Sequence, residues 1–456
     1  MAQIERRGYL PRWTLKTEGV IAPDERLPWG QSILIGLQHV LAMFGSTILG
    51  PILMGFNPNT AIFFSGIGTL IFFLITGGNV PSYLGSSFSF IAVVVAVSAF
   101  SGKGINPHID VALGGIIACG VAYAIIAVIV IFAGYRWIEK LMPPAVTGVI
   151  VAVIGLNLAP VAVADASKTS FDTWMALFTL VVLALVAIYA PGPLRRLPIL
   201  IGGIIGYLAY LILANGFGLG TPIDLSPVAN AAWIGLPGFT APTFQANAMV
   251  LIAPVAIILV AENLGHIKAV SAMTGRDLDP YLGRAFLGDA LATIVSGFGG
   301  GPGVTTYAEN IGAMAVSRIY STLVFVIAAI VALLLGFCPK FGALIGTIPI
   351  GVIGGLAFAL FGLIAATGGR IWVQNRVDFT KNRNLITVAV ALTMGAGNFT
   401  INFGNFALGG IATATFSAII LYQLLRERTP EEEAVEVADS AVETPEQRSA
   451  EPGLEA

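Results

Sequence analysis

The chain has 456 residues, 56% of them hydrophobic and only 11% Asp, Glu, Lys or Arg, with a formal net charge of −2 and a mean hydropathy of +0.87. Soluble domains are about 45–50% apolar and about 25% charged, and so few charges cannot cover a globule of this size. Composition argues against a soluble enzyme, a nucleic-acid binder and a disordered chain. It points to an all-α polytopic membrane protein, since a span takes about 20 apolar residues and the length holds a dozen or more.

Residues 1–28 are charged, contain Pro11, Pro23 and Pro28 and lack an apolar core, so they read as a cytoplasmic N-terminal segment without a secretory signal. Apolar stretches then follow at 29–50, 61–76, 85–100, 112–134, 144–163, 172–190 and 198–217. A second set lies at 246–266, 284–298, 303–317, 319–337, 343–367, 385–398 and 405–425, giving about fourteen transmembrane segments. Cys119 and Cys338 stand alone and suggest neither a disulfide framework nor a metal cluster. From Glu427 onward 10 acidic residues face only Arg428 and Arg448, so residues 427–456 read as a disordered, solvated cytoplasmic tail.

Basic residues test the count. With the N-terminus inside, 20 of the 23 Lys and Arg fall on the cytoplasmic side, leaving Lys103, Lys168 and Lys340 outside. This bias supports fourteen segments with both termini cytoplasmic. Seven per half makes the second half enter from the opposite side, a 7+7 inverted repeat. Segment five (Pro144 to Gly148, then Gly155-Leu156) weakly resembles segment twelve (Pro349 to Gly354, then Gly362-Leu363), with chance likeness between Gly-rich helices as the competing explanation.

Segments three and ten are short, and each follows breakers: Gly77, Gly78 and Pro81 before one, Gly299 to Pro302 before the other. Paired, interrupted segments at matching positions mark binding sites in secondary transporters. Each is expected to hold a short extended strand and a half-helix. Ser86 to Phe90 and Val304 to Tyr307 have the polar and aromatic character for the strands, and the half-helices would aim N–H groups at a ligand.

Away from the span ends, three acids lie within the spans: Glu262, Asp289 and Glu309. A carboxylate in hydrocarbon is costly, so such residues face a cavity or a partner. Glu262 and His266, four apart, share a helical face, and Glu309 follows Tyr307-Ala308 where helix should resume. The two glutamates can accept hydrogen bonds from ligand N–H groups or carry a proton; a structural ion pair or cap is the alternative. For His266 the alternative is a plain interfacial histidine. His39, after Gln38, suits a buried structural hydrogen bond or substrate contact equally, and Ser46 shares its face. Asp289 shares a helix with Thr293 and Ser296 and reads as polar support. His108 reads as solvated, and Phe88 is the one phenylalanine set in an irregular segment. No catalytic or metal-binding motif of an intramembrane enzyme is present.

Four strings carry a resemblance: Gly36-Leu-Gln-His-Val-Leu-Ala-Met-Phe-Gly45, Pro81-Ser-Tyr-Leu-Gly-Ser-Ser-Phe88, Ala261-Glu-Asn-Leu-Gly-His266 and Thr305-Thr-Tyr-Ala-Glu-Asn-Ile-Gly312. In order and separation, over roughly residues 29–425, the chain resembles the nucleobase–ascorbate transporter family (nucleobase:cation symporter 2). Within it the chain looks most like the uracil permease branch and the pyrimidine permeases of pyrimidine-utilisation clusters, because xanthine and urate members usually place Gln where Glu309 stands. Ser317 replaces a frequent Thr, and Ala308 replaces a Gly of some uracil permeases.

The resemblance implies that Glu262 and Glu309 bind a pyrimidine ring, with backbone near Phe88 and Ala308 holding a carbonyl. Phe88 would pack on the base, and His266 and Tyr307 would touch it directly or through water. Ser46 is a further candidate for substrate binding, and Asp289, His39, Gln38 and Asn310 for proton coupling or support. It also implies a core domain of residues 29–134 and 246–337 and a gate domain of 144–217 and 343–425, moving against each other in a homodimer in the bacterial cytoplasmic membrane. No cofactor is expected beyond the proton as coupling ion. The expected function is proton symport of uracil or a related pyrimidine, with Glu262 or His266 passing the proton and sodium as the rival ion. A xanthine or purine permease of the same fold is the alternative, and an anion carrier or channel a more distant one.

Overall fold

Pro and Gly interrupt this chain so often that helix lengths follow the breakers rather than the thickness of a bilayer. A computed structural model describes residues 9–100, 104–191, 194–195, 197–403 and 406–425; the acidic tail of 427–456 lies outside the described residues. Strands β1 (Thr14–Leu15) and β2 (Glu25–Arg26) pair in parallel ahead of α1 (Trp29–Met54) and α2 (Pro58–Ile75). Asn57 caps α2 by accepting from the N–H groups of Asn59 and Thr60, with Pro58 at the first helical position. Then come β3 (Leu84–Ser86), a 3₁₀ turn (Phe88–Phe90) and α3 (Ile91–Ser98). Next are α4 (Ile109–Ala133), α5 (Arg136–Leu141), α6 (Pro144–Ala166), α7 (Ser170–Tyr189) and α8 (Pro198–Leu211).

The second half begins with α9 (Ser226–Asn230), α10 (Ala246–Ile252), α11 (Val255–Thr274) and α12 (Leu282–Gly299). It continues with β4 (Val304–Thr306), α13 (Ala308–Ser317), α14 (Thr322–Gly336), α15 (Pro339–Gly346) and α16 (Ile350–Gln374). Last are α17 (Asn382–Ala396), the hairpin β5 (Ile401–Phe403) and β6 (Phe406–Leu408), and α18 (Gly410–Leu424).

Among the described residues eight helices are long and apolar enough to cross a membrane, or nine if α14 and α15, bent by 81°, count as one span. The protein is a multi-pass, mostly helical membrane protein. Several boundaries differ from the hydropathy pattern. The apolar run at 343–367 is split, because Pro349 starts a new helix and α16 continues to Gln374. The run at 246–266 breaks around Pro254, and α11 continues to Thr274. The final helix starts at Gly410, after the hairpin, rather than at 405.

Two groups of helices pack together. In one, α12 lies along α4 and α2, and α14 along α2 and α1. In the other, α16 lies along α6 and α7, and α17 and α18 pack on α6 and on each other. The α6–α16 contact is backbone on backbone. A Cβ added at Gly155 would sit 2.3 Å from the Phe361 carbonyl oxygen, and one at Gly368 would sit 2.4 Å from that of Gly148. Small residues permit such close approach between membrane helices.

One end of the molecule is rich in bases. There the N-terminal segment straps α13 to α14: Ile21 donates its N–H to the Arg318 carbonyl and accepts from Tyr320 N–H, Thr322 bonds the Pro23 carbonyl, and Arg276 pairs with Asp24. Lys268 on α11 pairs with Glu139 on α5 at 3.1 Å and with Asp279 at 2.7 Å, and lies over the Tyr135 ring. Partial burial pushes the Asp279 carboxyl up, but bonds from Lys268 and Tyr135 and the Lys268 charge hold it below the ordinary carboxylate range. Gln423 of α18 donates to the Lys140 carbonyl at 2.9 Å, so α5 is tied to both α11 and α18.

Valine at position 155 or 368 must force α6 and α16 apart. Gly155→Val and Gly368→Val are each expected to destabilise the folded chain by about 1–3 kcal/mol, the usual effect of overpacking. Thermal melts in detergent read this as a lower Tm, and a melt identical to wild type would mean the contact yields freely.

Candidate substrate site between two half-helices

The site is built on a two-stranded ribbon inside the protein. β3 and β4 run antiparallel, with Leu84 opposite Thr306, Gly85 opposite Thr305 and Ser86 opposite Val304. Backbone bonds from Ser87 N–H to Gly303 O (2.9 Å) and from Tyr307 N–H to Tyr83 O (3.0 Å) close its two ends. Gly85 is required here, because a Cβ on it would lie 2.4 Å from the Tyr307 ring. Past each strand the chain turns into helix: the 3₁₀ turn and α3 after one, α13 after the other. By strand rise the two cap residues, Ser87 and Tyr307, four steps apart along the ribbon, are separated by about 13 Å. Ser87 caps the first by accepting from Ser89 N–H.

Glu309 stands in the first turn of α13, where free N–H groups favour a negative charge. Ser46 of α1 donates a hydrogen bond to its Oε1. A cavity of about 700 Å³ opens at the basic end, beside Arg195, and reaches Glu309 between Leu41, Gly45 and Gly312 on one side and Ile199 and Leu363 on the other. A larger one, about 1080 Å³, opens at the opposite end beside Asn57, Asp172 and Tyr210, and neither glutamate lines it.

Glu262 and His266 on α11 face the ribbon. The two glutamates interact electrostatically, and Glu262 lies beside Ser87 and Ser89. Its buried Oε2 has no hydrogen-bond partner, an acceptor held out of water. His266 Nδ1 is 2.8 Å from Thr306 Oγ1. Glu262, His266, Ala308 and Glu309 all keep partial exposure in the protein's interior. Phe88 is 9% exposed and meets the Phe361 ring of α16 edge-on at 6.2 Å.

The remaining candidates bond to protein. The Tyr307 hydroxyl donates to Ser86 O at 3.0 Å and lies 3.3 Å from Thr47 Oγ1, so its polar end braces the ribbon. His39 is buried against the Phe325 ring, and Asn310 Nδ2 meets its Nδ1 at 3.1 Å and its carbonyl at 3.0 Å. Gln38 beside it is half-buried. Asp289, fully buried, accepts from Asn263 at 2.6 Å and from Thr305 at 3.3 Å, and Asn263 also donates to Tyr123 at 3.0 Å. Sequence reasoning missed Thr47, Tyr123 and Phe361. The adjacent pair Ser46-Thr47 in an apolar helix was the readable sign for the first. Phe361 came from a helix far along the chain and had none. Asp165 and Asp172, at span ends, are also buried, at 8% and 5% exposure.

The pattern of the permease family Xan_ur_permease matches residues 30–403. The chain is 60% identical over 91% of its length, and 95% of the relative's, to the Escherichia coli (strain K12) protein named "Putative pyrimidine permease RutG". It is 39% identical to the uracil permease of Escherichia coli (strain K12), over 93% of this chain and 99% of that one. Among solved structures, the transmembrane domain of the cyanobacterial bicarbonate transporter BicA superposes at TM-score 0.58 with 16% identity, covering 86% of this chain and 96% of that one. The murine anion transporter Slc26a9 superposes at 0.62 with 12% identity, covering 87% and 68%, and at such identities the likeness concerns the fold alone. The chain thus belongs to the permease family of nucleobase–ascorbate transporters, and it is a transporter, not an enzyme.

Proposed function

We propose that this permease imports uracil or a closely related pyrimidine nucleobase by proton symport. The observation that carries the reading is the pair of interior glutamates, Glu262 and Glu309, held at a ribbon between two half-helix starts. Uracil is neutral and planar, with two N–H donors and two carbonyl acceptors. Carboxylates match the donors, N–H groups at the starts of α3 and α13 match the acceptors, and Phe88 offers a ring face. A pocket built to bond N–H groups rejects analogues without them, because its own acceptors would be left unpaired. The names of the relatives, pyrimidine permease and uracil permease, agree with this cargo.

Coupling is assigned to the same groups. Glu262 and His266 share a face of α11, and either can take a proton from one side and release it on the other; Asp289 with Asn263, and His39 with Asn310, support them. Alternating access follows if residues 29–134 and 246–337 act as a core moving against a gate of 144–217 and 343–425. The two helix groups support that division, and their meeting at Phe88 and Phe361 supports a boundary there. The proposal includes about fourteen segments in a 7+7 inverted repeat, cytoplasmic termini, a homodimer and the bacterial cytoplasmic membrane.

Radiolabelled uracil uptake into sodium-free proteoliposomes tests the cargo and the ion together. Uptake is expected to rise with an inward proton gradient and collapse with an ionophore; indifference to the gradient overturns symport, and xanthine outcompeting uracil overturns the pyrimidine. Glu262→Gln is expected to fold normally yet abolish gradient-driven accumulation, a loss of at least about 100-fold for a buried group in direct contact with the ligand. Wild-type accumulation by that chain would remove Glu262 from the mechanism. Ser46→Ala, which strips the hydrogen bond from Glu309, is expected to weaken half-saturation by about tenfold, the effect of one bond to a charged acceptor.

A further inference from the structure

A two-stranded ribbon has two outer edges, and each exposes N–H and C=O groups that no third strand covers. Inside a membrane protein such groups need a partner. Gly85 and Thr305 turn their backbone groups inward to each other, whereas Leu84, Ser86, Val304 and Thr306 turn theirs to the outer edges. Threonine from the preceding helix meets the first of these on each strand, Leu84 and Val304. On α2, Thr69 Oγ1 accepts from Leu84 N–H at 2.9 Å and lies 3.4 Å from Leu84 O, sharing its proton with Ser65 O. On α12, Thr293 Oγ1 accepts from Val304 N–H at 3.2 Å and donates to Val304 O at 3.0 Å. Both threonines are buried, at 1% and 0% exposure.

We propose that Thr69 and Thr293 are positioning residues for transport: each hydroxyl accepts from the first N–H of one strand, and Thr293 also donates to that residue's carbonyl, so that each clips the outer edge of its strand and fixes where the half-helix beyond it begins. Only a hydroxyl can do this with one atom. A threonine that merely bonded back to its own helix, four residues earlier, would leave the strand edge untouched. The two clips occupy corresponding places in the two halves, helix then strand then half-helix. Thr69 fixes the strand that leads to Phe88, and Thr293 the strand that leads to Glu309. Neither side chain touches the ligand under this assignment, which rests on the reading that the nucleobase lies between the half-helices.

The test compares Thr69→Val and Thr293→Val, which keep shape but lose both bonds, with Thr69→Ser and Thr293→Ser, which keep the hydroxyl. Full-length chains in proteoliposomes give the KM and the maximal rate for uracil, and melts in detergent with and without uracil report folding and binding. The valine chains are expected to raise KM by about tenfold, the weight of roughly one hydrogen bond, with a smaller change in maximal rate, and serine is expected to restore wild-type KM. Folded valine chains with wild-type KM, or serine chains as weak as valine, overturn the assignment. Should a valine chain fail to fold, Thr→Cys at the same position replaces it with a weaker donor and acceptor, and the same outcomes decide. If the wild-type protein takes xanthine and not uracil, the pyrimidine reading falls, and the same series run on xanthine still decides the role of the clips.

Discussion

Backbone groups cannot go unbonded inside a membrane, and the interior of this protein is organised around that constraint. An unbroken helix meets it within itself, whereas a helix that breaks midway leaves several N–H and C=O groups open. Two of the chain's breaks, before Leu84 and before Val304, answer one another as a ribbon of three residues a side. What the ribbon cannot satisfy is taken up by hydroxyls from α2 and α12 and by the Tyr307 phenol. Gly85 and Gly303 exist to let rings lie on the backbone, Tyr307 over one and Phe90 over the other. The polar groups left open, at the starts of the half-helices, are the ones a ligand can use.

The acids follow the same logic. Glu309 occupies the first turn of α13, where helix ends are short of acceptors and a carboxylate is welcome, with Ser46 supplying a donor. Asp289 is served by Asn263 and Thr305, and Asn263 is in turn tied to Tyr123 on α4. Glu262 and Asp289 each keep one oxygen buried without a hydrogen-bond partner, and buried polar atoms in that condition are rare in folded proteins.

Much of this was legible in the sequence because hydrocarbon punishes charge so severely. Low charge content gave the class, three misplaced carboxylates gave the candidates, and breakers before segments three and ten gave the place. The strings around His39, Phe88, Glu262 and Glu309 then gave the family. What stayed hidden depends on the third dimension. Hydropathy cannot tell one span from two short helices bent by 81°, so the count read from apolar runs and the helices long enough to cross differ. The family resemblance implies that Tyr307 touches the base directly or through water, whereas the two protein partners of its hydroxyl, from α1 and β3, needed the folded chain to be seen. Threonine in an apolar helix looks like filler until the strand it bonds, 15 residues away for Thr69, is in place.

The contact of α6 with α16 has a mechanical consequence. The Phe361 and Gly148 carbonyl oxygens lie against glycines of the facing helix, and the Trp372 indole of α16 packs on Gly148 and donates to the Ala145 carbonyl, so the two helices are locked in register. The pair is a single beam. Between Phe88 and Phe361 the surface is different: two rings meet edge to face with centroids 6.2 Å apart, an arrangement aromatic pairs prefer. One helix, α16, thus carries both the tight backbone contact with α6 and the ring that meets the residue opening the first half-helix.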